Sequence, residues 1–234
     1  MSDGFVDFGF GDGDKGLGRK IKKFDPEANK SYTVSFVWYR AYNADGTPDL
    51  TKGLRFVNCE RIYKEGVGYF LYKSPAYAEF GKPKTAIATI LAVWPTDNKG
   101  RVDLSRLTDV EVMPWIFSAD KYELLARCND KHPLVSKDVE IVCTDAKFKK
   151  ITLTPDNDSV MNRLRAKAGD SSVVSELLKG IYADVDAIAS NLRREMARDM
   201  SLDEIREKLG MDVAGPAAGA RTSRDADDLL NDLV

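Results

Sequence analysis

Histidine and cysteine are scarce in this chain, with one histidine, His132, and three cysteines, Cys59, Cys128 and Cys143, among 234 residues. The cysteines form no CxxC pair and His132 has no second histidine to join, which argues against a disulfide framework and against a zinc site. The thiols read instead as small buried hydrophobes. A single histidine also removes most acid–base and triad schemes. The chain has no GxxxxGK[ST] phosphate loop, no GxGxxG after a strand, no HExxH and no GxSxG. Carboxylate pairs such as Asp120 with Glu123, or Asp103 with Asp109, have no spacing that sets them above solvated charge. The expectation is a protein that is not an enzyme and needs no cofactor or metal. No stretch approaches the roughly 18 apolar residues of a membrane span. The N-terminus is acidic and glycine-rich where a signal peptide would be basic and then apolar. A soluble, cytoplasmic protein without a membrane partner is expected.

What is present is a globular composition, 43% hydrophobic, 31% charged and 9% aromatic, long enough for one domain plus appendages. The net charge of −2 hides an uneven distribution. Residues 1–14 carry four acids and no base, residues 15–155 hold 24 Lys+Arg against 17 Asp+Glu, and residues 156–234 hold 11 against 16. A basic middle between acidic ends suits a body that attracts a polyanion and tails that compete for the same surface.

Residues 1–16 alternate glycines with aromatics and aspartates and read as a flexible arm. The basic cluster Arg19, Lys20, Lys22 and Lys23 follows. From Ser31 the periodicity is two, with seven candidate strands at 32–39, 54–63, 67–72, 85–94, 109–117, 138–144 and 148–154. Pro114 demotes its run to an edge strand or a bulge. Ser118 to Glu123 starts a short helix ending near Cys128, with Tyr122, Leu124 and Leu125 available to plug the end of a small barrel. The fold class expected is mainly β with C-terminal helices, an OB-fold-like small β-barrel plus a helical segment and a disordered acidic tail. After Pro155 the period becomes helical, with Val174, Leu177, Leu178, Ile181, Val185, Ile188 and Leu192 on one stripe, and Ser201 with Glu204 forming a capping box. The organisation expected is an arm with the basic cluster (1–30), an OB-like nucleic-acid-binding domain (31–155), a helical segment (156–212), a linker (213–224) and an acidic partner-binding tail (225–234). Residues 171–199 either pack on the β domain or form a contact with another copy.

Within the basic β segment, aromatics interleave with Lys and Arg. Single-stranded nucleic acid is held this way, its bases stacked on rings while cations track the phosphates. The candidate DNA-binding residues are Arg19, Lys20, Lys22, Lys23, Trp38, Tyr39, Arg40, Arg55, Arg61, Tyr63, Lys64, Tyr69, Tyr72, Lys73, Lys82, Lys84 and Trp94. In runs such as YFLY and WYRAY neighbouring rings point to opposite faces, so both sets cannot line one small barrel. The chain ends in DADDLLNDLV, whose four aspartates can compete with phosphates for a basic groove while Leu229, Leu230 and Leu233 offer an amphipathic grip.

That ending resembles the acidic, leucine-containing tail of the T-even bacteriophage single-stranded DNA-binding proteins. The order of ILAVWPTDNKGRV (90–102), VMPWIFSADKYELLARC (112–128) and DVEIVCTDAKFKKITLTP (138–155) is similar to their strand, helix and closing hairpin. The resemblance implies an OB-fold that binds single strands in replication, recombination and repair, in the host cell cytoplasm. It also implies that Asp227, Asp228, Leu229, Leu230, Asn231, Asp232 and Leu233 regulate DNA access and recruit replication or recombination proteins. It carries over neither the family's Cys/His zinc element nor its basic N-terminal cooperativity motif, which have no counterpart here. The second reading is a phage protein-interaction module, a transcription or replisome accessory factor docking through the same tail. A structural virion protein is a third.

Overall fold

The computed structural model describes residues 5–6, 21–98, 100–145, 147 and 149–211. Nine strands and four helices are present among them: β1 (Phe5–Val6), β2 (Ile21–Lys22), β3 (Ser31–Phe36), β4 (Val57–Lys64), β5 (Gly68–Leu71), β6 (Lys84–Val93), β7 (Glu111–Ser118), α1 (Ala119–Lys131), β8 (Val139–Asp145), β9 (Lys150–Pro155), α2 (Val160–Lys167), α3 (Ser172–Met196) and α4 (Leu202–Lys208). The β-branched and aromatic runs of the sequence become the seven strands β3–β9 of one antiparallel sheet. In the N-terminal arm, Phe5–Val6 pair with Ile21–Lys22 in a short antiparallel ladder, a contact its glycine content did not suggest.

The sheet is open, with order β5-β4-β6-β3-β8-β9 and β7 along the other edge of β6. β6 is long enough to pair with β7 from Ala86 to Val93 on one edge and with both β4 and β3 on the other. Among the described residues β7 has only β6 as a strand neighbour, in keeping with the edge expected from Pro114, and the Pro114 carbonyl accepts from the Phe24 N–H at 2.9 Å. Three apolar clusters follow from strand alternation. On one face Ile87 and Leu91 of β6 meet Met113, Trp115 and Phe117 of β7, Val34 and Phe36 of β3, and Val139 and Ile141 of β8. α1 lies over the end of this cluster, but only Leu125 is buried there, while Tyr122 and Leu124 are exposed. Successive helix residues point about 100° apart, so of the three expected plug residues only Leu125 faces the cluster.

On the other face of β6, Ala86, Ala88, Ile90 and Ala92 pack against Leu178, Ile181, Val185, Ile188 and Leu192 of α3. The helix stripe is therefore covered by the sheet of its own chain. Ser171 caps α3, and the Ser201–Glu204 capping box opens α4. The third cluster joins Ile62 and Phe70 of the β4–β5 hairpin to Tyr77, Phe80, Met200 and Ile205. No described helix is long and apolar enough to cross a membrane.

A buried carboxylate ties the helical layer to the sheet. Asp138 accepts from the hydroxyls of Ser35 and Ser159 and, at 2.8 Å, from the Val160 N–H at the start of α2. Ser35 Oγ in turn accepts from the Trp94 indole at 2.8 Å. Burial pushes the Asp138 carboxyl above the ordinary Asp value, outweighing its hydrogen bonds. The native state then holds this proton to higher pH than the unfolded chain, so its contribution to stability is present at acid pH and lost as pH rises through the raised value. Asp138→Ala strands three donors and should cost about 3 kcal/mol, lowering Tm by roughly 6–12 °C in a thermal melt. The Tm advantage of the wild type over Asp138→Asn should shrink as pH rises from acid toward neutral.

Candidate functional site

Hairpin geometry brings four of the sequence-chosen residues onto one face. β4 turns into β5 through Glu65-Gly66-Val67, and Gly66 and Gly68 both hold positive φ, which a side chain would strain. The register sets Tyr63 opposite Tyr69, Arg61 opposite Leu71 and, on the other edge of β4, Arg61 opposite Lys84. With a period of two, Arg61, Tyr63, Tyr69 and Lys84 share a face, while Ile62 and Phe70 turn into the third cluster behind it.

α3 stops short of this hairpin. Its last turn is capped by Arg61, whose Nη1 donates to the Met196 carbonyl at 2.6 Å. Beyond that point the strand face is open among the described residues, and Tyr63 and Tyr69 are 60% and 46% exposed. Their ring centroids are 5.0 Å apart with planes inclined at 54°. The Arg61 guanidinium lies 3.9 Å from the Tyr69 ring centre, a cation–π contact that fixes both groups. Burial lowers the Arg61 pKa, yet a guanidinium stays charged at neutral pH. Lys84 is exposed beside it. The result is a two-ring platform with a fixed cation below and an exposed one alongside.

The other sequence candidates scatter. Trp38, Tyr39 and Trp94 are 6%, 1% and 3% exposed, so these rings are core and cannot meet a base without opening it. Tyr39 is held by Arg165, which also donates to the Tyr182 hydroxyl at 3.1 Å, and burial drives the Tyr39 phenol far above its ordinary range. Lys23 donates to the Glu195 carbonyl at 3.1 Å and faces its carboxylate at 3.3 Å. Burial pushes both partners of that pair toward their neutral forms, the lysine downward and the glutamate upward. Lys22 pairs with Glu111 at 2.9 Å, and Lys73 with Asp199. Tyr72 and Lys64 are half-buried, whereas Arg40, Arg55 and Lys82 are exposed. Arg19, Lys20 and the tail residues Asp227, Asp228, Leu229, Leu230, Asn231, Asp232 and Leu233 lie outside the described residues.

Two exposed rings lie outside the DNA-binding set chosen from the sequence: Tyr42, which belongs to the WYRAY run, and Tyr122, an expected barrel plug. Tyr42 stands edge-on to Tyr39 at 6.2 Å, and Tyr122 stands edge-on to Phe56 at 5.4 Å. Tyr42 had a usable signal, its place beside the turn residues Asn43 to Pro48, where side chains face water. Phe56 and Tyr122 line a cleft of about 410 Å³ with Arg40 and Lys52 at its rim. Among the described residues no group of three metal-ligating side chains gathers. No family model and no curated protein matches the chain.

Ring accessibility orders the tyrosines chemically. Limited nitration with tetranitromethane should modify Tyr63 and Tyr69 well before Tyr39 and Tyr77, as read by peptide mass mapping.

Proposed function

We propose that this protein binds single-stranded DNA without reading its sequence, in the manner of the phage replication and recombination proteins that its ending resembles. The observation that carries the reading is the Tyr63–Tyr69 pair standing uncovered on a strand face beside Arg61 and Lys84. A ring left in water forgoes about 1.5–3 kcal/mol of burial, and two such rings in contact, with a cation fixed beneath one, form a surface suited to flat, anionic polymers. Stacking tolerates any base, because every base has a π-face.

The strand order also supports an OB-type barrel as the scaffold. β7-β6-β3-β8-β9, with α1 between β7 and β8, follows the path of a five-stranded OB fold with its seam between β7 and β9 unpaired, and β4–β5 inserted between its first two strands. The inserted hairpin carries the ring platform. The acidic ending remains the proposed competitor for the same cations and the proposed grip for replication or recombination partners.

Because all three tryptophans are buried, the readout is the anisotropy of a labelled oligo-dT and not intrinsic quenching. Wild-type binding should weaken steeply with salt as counterions are released. Tyr63→Ala and Tyr69→Ala should each lose about 1–3 kcal/mol, roughly 5- to 150-fold in Kd, with an unchanged melting curve for Tyr63→Ala and a lowered midpoint for Tyr69→Ala, which also removes the ring beneath Arg61. Absence of binding at low salt, or full binding by the double alanine variant, would overturn the reading.

A further inference from the structure

The ring platform is one end of a longer line along β4. Alternate residues Val57, Cys59, Arg61 and Tyr63 share a strand face of β4, Arg55 lies two residues before the strand starts, and one flank of α3 runs beside them. Asp186 and Tyr182 of α3 act electrostatically on Tyr42 and Arg193 acts on Cys59, and the Met196 carbonyl holds Arg61. At the far end Arg55 lies 5.6 Å from the ring centre of Trp38, close to the exposed Tyr42. Among the described residues Arg55 and Arg61 hold no carboxylate; their partners are backbone carbonyls and ring faces. Both guanidiniums therefore keep charge that no described carboxylate neutralises. Val57 and Cys59 between them are only partly buried, which leaves a shallow floor bordered by the helix.

We propose that this line is the phosphate track of the bound strand, with a ring station at each end. Bases stack on Tyr63 and Tyr69 at one station and on Tyr42 at the other, and the intervening phosphates lie between Arg61 with Arg193 and Arg55. The eight steps from Arg55 to Tyr63 span about 26 Å of extended chain, which corresponds to the short end, about four nucleotides, of the site sizes found for barrels of this type. Asp186, exposed beside Tyr42, opposes the strand at the second station and weakens it. The proposal rests on the single-strand-binding reading and adds to it the direction and length of the site.

The experiment compares wild type, Arg55→Ala, Asp186→Asn and Tyr63→Ala, all at exposed side chains, by anisotropy with labelled oligo-dT of about ten nucleotides over a salt series. Arg55→Ala should weaken binding about 5- to 10-fold and reduce the log–log salt slope by about 0.7, the loss of one phosphate contact. Asp186→Asn should tighten binding. If Arg55→Ala and Asp186→Asn match wild type while Tyr63→Ala weakens binding, the track is wrong and the platform stands. If Tyr63→Ala also matches wild type, the platform reading falls with it.

Discussion

β6 is dry on both faces and paired on both edges, and every other layer takes its position from that strand. Its even residues are mostly alanines, Ala86, Ala88 and Ala92, and these small side chains let α3 approach the sheet closely. Its odd residues Ile87 and Leu91 fill the opposite cluster between β3, β7 and β8. A strand buried on both faces reads as a nearly continuous apolar run, and AIATILA (86–92), interrupted only by Thr89, is such a run. The helical layer is then held in register by polar contacts at its start, through Asp138, and at its end, through Arg61 and Lys23.

The uncovered ring pair is a consequence of that arrangement. β4 and β5 reach past the end of α3, so the face that is core along β6 becomes surface at the hairpin. Capping the last turn with Arg61 stabilises the helix end, because cations there meet unpaired carbonyls and the negative pole of the helix. The same guanidinium sits on Tyr69, so the helix terminus and the platform are one structural unit.

Much of the fold was legible. The seven apolar runs mark β3–β9 to within a few residues, Pro114 marks an edge, and the Ser201–Glu204 box marks the start of α4. Site residues were harder to read, for a physical reason. Alternation says that Trp38 and Tyr39 point to opposite faces, but not whether the second face is covered. Here both faces are: Trp38 enters the cluster beneath α3, and Tyr39 enters the one closed by α1. In the YFLY run the same argument succeeds, because Phe70 is core and Tyr69 is not.

The amino-acid order alone settled which segments are strands, which stripe of α3 is apolar and where helices begin, since these depend on local sterics, capping and period. Only the packed chain decided which rings meet water. Exposure of a strand face depends on where a helix about 130 residues further along the sequence happens to end, and no local pattern carries that length.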